Sequence, residues 1–249
     1  MPDDVDYQPE SVAEEIAADL RMCILHGTIK AGTKLKEIEL CKQYNSSRTP
    51  VREAFRILQH ENLISSSRFV GATAIALTHK FLEDSSELRC LLECQAVELA
   101  VRNASEEDLK TLGSLKEKMQ SIGSEDIGEF IITNKRFHLM LGHMSGNREL
   151  EKAIIQAWYS TRSFRILSME QHMPGRVSLA SLEHIKVIQA VMDRNAKEGV
   201  RYLKEHFDLS LARNKRCIDN MASTPLGAME VADAYEGTGN SEEKAVLGS

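Results

Sequence analysis

The feature that most limits what this chain can become is a change of hydrophobic period near residue 79. From there to about residue 221 apolar residues recur at helical spacing, roughly over 79–103, 105–122, 125–144, 147–171, 176–194 and 196–221, without strand-like alternation. Ser105 followed by Asp108 marks a helix start, and Gly146-Asn147 and Pro174-Gly175 punctuate later boundaries. Six such helices bury their stripes only against one another, which predicts an all-α bundle large enough to hold a cavity. Residues 10–78 read differently. Ser11-Val-Ala-Glu14 is a capping box, and the helix it opens runs to His26 and stops at Gly27. A short helical stretch over 37–44 leads into the polar turn Asn45-Ser46-Ser47. A further helix begins near Arg48, with Pro50 in its first turn and Val51, Ala54, Phe55 and Leu58 on one stripe, and ends around Asn62. Two strand-like runs, 63–65 and 73–77, flank 68–71 as a hairpin. The expected fold is therefore mostly α: a winged helix-turn-helix over 10–78 joined to an all-α helical bundle over 79–221. Residues 222–249, rich in Gly, Ser, Ala and acid and without periodicity, are expected to be disordered.

Composition narrows the class. At 249 residues two domains are expected. No run of about 18 apolar residues occurs, and the acidic opening with Asp3, Asp4 and Asp6 lacks a secretory layout, so a cytoplasmic protein with no membrane partner is expected. The net charge of -6 argues against nucleic acid only until its distribution is seen. The excess acid lies at the two ends, whereas residues 30–68 hold eight basic side chains against four acidic ones, a footprint that suits phosphates. The five cysteines are scattered, so neither a disulfide framework nor a cysteine zinc site is indicated, and Cys90 and Cys94 read as small apolar residues one helical turn apart.

A helix-turn-helix presents donors from the first turn of its second helix to the major groove. Arg48 and Arg52 share a face there, while Val51, Phe55 and Leu58 point away from it. Ser46, Ser47 and Thr49 add hydroxyls for phosphates, and Arg68 near the hairpin tip suits a minor-groove or phosphate contact. The stretches Ala31-Gly-Thr-Lys-Leu-Lys-Glu37, Ser47-Arg-Thr-Pro-Val-Arg-Glu-Ala-Phe-Arg-Ile-Leu-Gln-His-Glu-Asn-Leu-Ile64 and Gly71-Ala-Thr-Ala closely resemble the DNA-binding domain of the GntR family of bacterial regulators. The resemblance implies that Arg48 and Arg52 contact bases or phosphates, with Thr49 and the wing glycine Gly71 near the backbone. Asn62 stands where that family usually has glycine, and asparagine tolerates the left-handed conformation such a helix end requires.

In the bundle, Ile127, Phe130, Ile131, Asn134, His138 and Leu141 form one stripe, which puts an amide and an imidazole inside an apolar face. His184 lies in line with Ile188 and Val191, and His206 with Tyr202, Leu203 and Leu209. One inward histidine is usually a hydrogen-bonded core residue, but three on separate helices suit zinc, nickel or a similar divalent metal with an open position for a small molecule. This half resembles the FCD ligand-binding domain of the FadR-type branch, through Glu87-Leu-Arg89 with Glu93, Asn134-x-x-Phe137-His138 with Ser145-Gly-Asn147, Glu183-His184, and His206. The resemblance implies three metal-binding histidines at His138, His184 and His206, with an aspartate where this chain has Asn134. An asparagine brings no charge, so metal affinity is expected to be weakened. The branch senses small organic acids. Arg89, inward with Leu92, Ala96 and Ala100, is the first candidate for a carboxylate, with an ion pair to Glu93 as the alternative role, and Arg162 is the second candidate. His79, His143 and His172 lack the stripe placement and read as surface residues, and Asn147 reads as a helix cap.

The resulting expectation is a homodimeric, ligand-responsive regulator of double-stranded operator DNA, a repressor in preference to an activator. Two alternatives are a metal-free regulator and a three-histidine zinc enzyme. Against the enzyme stand the lack of H-E-x-x-H and of an evident carboxylate base beside the histidines.

Overall fold

The structure is a computed structural model that describes residues 11–67, 71–75, 78–124, 126–170 and 175–223. Arg68, His172, residues 1–10 and most of the tail expected to be disordered, residues 224–249, lie outside the described residues.

The N-terminal unit opens with α1 (Val12–Leu25), whose free first turn is met by the Ser11 hydroxyl accepting from the Glu14 N–H. A two-residue strand β1 (Lys34–Leu35) precedes α2 (Glu37–Gln43) and α3 (Arg48–His60). Strands β2 (Ile64–Ser67) and β3 (Gly71–Ala74) form the wing, and the sheet order is β1-β3-β2, antiparallel throughout. In the wing Ile64 faces Ala74 and Ser67 faces Gly71. Gly71, at φ +79°, begins the returning strand in a conformation that side-chain-bearing residues resist. β1 is an element that periodicity does not announce, because two residues are too few to alternate. The core joins Ile16 and Leu20 of α1 to Val51, Ala54 and Leu58 of α3, closed by Leu63 and Ile64. Phe55 is half-buried against that core rather than within it. Asn62 does adopt the left-handed conformation, at φ +55°.

The C-terminal unit is a bundle of α4 (His79–Asn103), α5 (Glu106–Ser121), α6 (Ile127–Met144), α7 (Arg148–Ser160), α8 (Arg162–Glu170), α9 (Arg176–Met192) and α10 (Ala196–Ser223). Thr78, Ser105 and Asn147 cap α4, α5 and α7 through their side-chain oxygens, Ser105 in a full capping box with Asp108. The single helix expected over 147–171 is two helices broken at Thr161. The Thr161 hydroxyl donates to the Ala157 and Trp158 carbonyls, a side-chain bond that competes with the helical ladder. Ala96, Val97 and Ala100 of α4 pack with Phe137 and Leu141 of α6, Val187, Ile188 and Val191 of α9 and Leu203 of α10. α10 lies close on α4 because residue 199 is glycine, where a Cβ would stand 2.8 Å from a Val97 methyl. Leu209, expected on the inward stripe of His206, instead faces solvent, being 49% exposed. No helix among the described residues is long and apolar enough to cross a membrane.

Candidate functional site

At the N-terminal unit, α3 projects Arg48, Thr49 and Arg52 into solvent, and Ser47 at its N-cap is exposed and forms no side-chain capping bond. Both arginines lean on one carboxylate of α2: Arg52 Nε donates to Glu37 at 2.9 Å, and Arg48 Nε lies 3.7 Å from it. That shared partner raises the Arg52 pKa, first through the hydrogen bond and then through charge. Gly71 lies exposed at the wing. Arg48, Thr49, Arg52 and Ser47 thus share one end of α3, while the expected wing-tip contact, Arg68, lies outside the described residues.

In the bundle the three histidines meet. α6 contributes His138, α9 His184 and α10 His206, all buried, with ring centroids 4.4–5.4 Å apart. One nitrogen of each lies within 4.8 Å of the others. Behind two of the rings stands a carboxylate. Glu93 of α4 is 2.5 Å from His138 Nδ1 and accepts from Arg89 Nε and Nη2 at 3.1 and 2.7 Å. Glu183 of α9 is 2.8 Å from His206 Nδ1 and accepts both terminal nitrogens of Arg213 at 2.8 Å. Binding Nδ1 to a carboxylate fixes the tautomer and turns Nε2 inward, the arrangement found behind metal-bound imidazoles. His184 and His206 bring their Nε2 atoms to 3.3 Å, so they either share a proton or face a cation together. His184 Nδ1 is buried with no hydrogen-bond partner among the described residues.

Burial, reinforced by the charges of Arg89 and His206, holds the His138 pKa well below its ordinary value. Burial and the two neighbouring imidazoles do the same to His184. Both rings are therefore neutral, as a metal ligand must be. Burial raises the Glu183 carboxyl, but hydrogen bonds from Arg213 and His206 outweigh it and bring the pKa to about 2. At Glu93 burial prevails over Arg89 and pushes the carboxyl up.

Beside the histidines lies a small pocket whose wall includes Asn134, His138, His206, Trp158, Arg89 and Arg165. Arg89, the first candidate for a carboxylate, is engaged with Glu93 and stacks over Trp158 and Phe207. Arg162 is not on the cavity wall and donates to Glu61 of the N-terminal unit at 3.1 Å. Arg165, one turn further, is on the wall. It stacks 3.7 Å over Trp158, donates to Thr161 and has no carboxylate partner among the described residues. Burial and the charges of Arg89 and Arg162 hold its pKa well below the ordinary arginine value. Sequence reasoning missed Arg165, although its spacing of seven from Trp158 was a usable signal. It also missed the positions of Glu93 and Glu183. Carboxylates do stand beside the histidines, but on their outer nitrogens. His143 is exposed near Asp108 and Glu151, and His79 pairs with Asp219.

A winged helix-turn-helix carried on a helical domain with an internal cavity is the build of a one-component transcription regulator. Residues 12–73 match the family described as bacterial regulatory proteins, gntR family, and residues 84–209 match the FCD domain. The chain belongs to the GntR family of transcriptional regulators, in its FCD-containing branch, and is not an enzyme. It is 31% identical to the HTH-type regulator YdhC of Bacillus subtilis over 192 residues, covering 76% of this chain and 84% of that protein. It is likewise 31% identical to the gluconate operon transcriptional repressor of the same organism, over 80% of this chain and 83% of the relative. The solved structure of Escherichia coli McbR/YncC superposes with a TM-score of 0.62 at 26% identity, over 84% of this chain and 99% of that one.

Proposed function

We propose that this regulator is a cytoplasmic homodimeric repressor whose operator affinity responds to a small organic acid bound beside a divalent metal. The observation that carries this reading is the meeting of three buried imidazoles, two of them with Nδ1 against a glutamate, beside an arginine-bearing cavity whose wall includes His138 and His206. His138, His184 and His206 would hold a borderline cation such as zinc or nickel, with Asn134 adding a neutral oxygen. Such an ion supplies an open coordination position for a carboxylate oxygen. Arg165 offers the acid a guanidinium not already matched to a carboxylate, and Trp158 and Phe207 shape the apolar wall around it. Arg89 acts by holding Glu93, and Arg162 acts outside the cavity.

On DNA, Arg48 and Arg52 read bases or phosphates, and Ser47, Thr49, Arg68 and Gly71 approach the backbone. Two copies place their α3 helices in successive major grooves of a pseudo-palindrome, about 34 Å apart. The exposed Leu88 and Leu91 on α4 support an apolar contact between copies. The likeness to a gluconate operon repressor supports repression.

Metal analysis of the purified chain beside His138→Ala tests the centre. Stoichiometric metal in the parent and none in the variant is the expected result, and no metal in either overturns the metal assignment. A metal-free sensor is the second reading, favoured by the neutral Asn134. Operator titrations with small organic acids then test sensing directly, since an effector changes operator affinity only through its different affinity for the two states.

A further inference from the structure

Apart from the histidine centre, α4 of the bundle holds a pair of sulfurs. Cys90 and Cys94 stand one helical turn apart, and their Sγ atoms are 3.8 Å from each other. Cys94 is buried in the core of the bundle, whereas Cys90 is half-buried at its edge, so an ion from solvent reaches the pair from the Cys90 side. Lys204 and Asp208 of α10 are near enough for their charges to act on the Cys90 sulfur. The hydrogen bond with Cys94 holds the Cys90 pKa below its ordinary value against the effect of burial. The same bond, reinforced by burial, pushes the Cys94 thiol up. Cys90 is therefore the sulfur that deprotonates first, and the thiolate is the form that ligates metals.

The helix decides what can join these two sulfurs. Side chains one turn apart on a helix have Cβ atoms about 5–6 Å apart, whereas a disulfide needs them at about 3.5–4.5 Å. A direct S–S bond would thus require α4, continuous over His79–Asn103, to unwind. An atom between the sulfurs requires no such change. A tetrahedral ion with sulfurs at about 2.3 Å, the zinc–thiolate length, holds them about 3.8 Å apart, and a larger cation needs only a slight opening. Thiolates favour soft cations, while the borderline ions that suit imidazole have three buried histidines in the same domain. A divalent cation also leaves two thiolates neutral, which lowers the cost of a charge beside the apolar core.

We propose that Cys90 and Cys94 form a second cation site in the bundle, a helix-borne dithiolate that takes a soft divalent cation of the cadmium kind. Binding forms two metal–sulfur bonds and releases the thiol protons to solvent. Water completes the coordination on the Cys90 side.

Ultraviolet difference spectra of the reduced full chain, titrated with cadmium chloride, test the site. A thiolate-to-cadmium charge-transfer band arises from sulfur ligands and not from imidazole, so it reads this pair apart from the histidines. The band is expected to grow to saturation at one ion per chain. It is expected to be lost in Cys94→Ala and in Cys90→Ser, the second of which changes a half-buried side chain and guards against a folding defect. Cys23→Ser and Cys41→Ser, at the half-buried thiols of the winged helix, are expected to keep it. His138→Ala is also expected to keep it, which makes this outcome independent of the metal assignment at the histidines. The site is overturned by the absence of a band in the parent or by its survival in Cys90→Ser. Saturation at half an ion per chain would place the cation between two copies and would equally overturn it.

Discussion

Asn134 decides how much charge the histidine centre brings to a cation. It lies one turn before His138 on the cavity wall, and with three imidazoles it makes a donor set that is neutral throughout. Negative charge stands one bond further out on Glu183 behind His206, while Glu93 behind His138 is pushed by burial toward its neutral form. Asn134→Asp is therefore expected to tighten zinc binding, and Glu183→Gln to weaken it by about 10- to 100-fold, the usual scale for outer-shell partners. Competition against a chelating dye measures both, and unchanged affinity in Glu183→Gln would remove that carboxylate from the centre. The same burial makes a pH prediction for the metal-free chain. His138 and His184 are held below their ordinary value of 6.5, so between the folded and unfolded values the unfolded chain binds more protons. The stability they support is thus complete above pH 6.5 and falls as acid is added below it. Urea midpoints in EDTA should decline as the buffer is taken from about pH 8 to about pH 5, and a flat series would contradict neutral buried rings.

At the level of elements, α3 is held ready by its neighbour α2. Glu37 engages the two arginines expected to reach DNA, and a duplex must take them from it. Arg52→Ala is expected to weaken operator binding about five- to hundredfold if it makes a bidentate base contact. Glu37→Gln is expected to strengthen binding about two- to fivefold, because an exposed ion pair competes only modestly. Gel-shift titration at fixed salt checks both, and a weaker Glu37→Gln complex would show that the pair positions the arginines instead of occupying them. Helix ends written in local chemistry were legible from sequence: Ser11, Ser105 with Asp108, Asn147 and Asn62 do as their residue types require. The convergence of His138, His184 and His206 was legible because each lay on a stripe that had to face the core. The break at Thr161 was not, since neither glycine nor proline marks it. Arg162 and Arg165 stand four and seven residues after Trp158, so the stripe through Trp158 passes near both, and only the packing of α8 shows that the cavity takes Arg165. The partners Glu93 and Glu183 were not placed either, because ion pairs between helices depend on packing that no single segment encodes.

Among the described residues one apolar core fills the winged helix and a larger one the bundle, where Phe130, Val177 and Ala180 add a small separate cluster. Glu61, which accepts from Arg21 of α1 and Arg162 of α8, joins the two domains together with Ile166 through a contact that is partly polar. Two cores joined in this way should unfold as two units whose stabilities are only partly shared. The candidate metal ligands all belong to the bundle, so a cation binding there stabilises that unit by mass action. At a free concentration one hundred times the dissociation constant the gain is about 2.7 kcal/mol. For a domain of roughly 140 residues this corresponds to a rise of about 8 °C in its midpoint. Scanning calorimetry of the full chain is therefore expected to show the bundle transition moving upward with zinc and back with chelator. The winged-helix transition should follow only to the extent that Glu61 ties it to α8. His138→Ala should abolish the shift. Equal shifts in both transitions, surviving in His138→Ala, would mean that zinc binds elsewhere on the chain and would remove the histidine centre as the source of stabilisation.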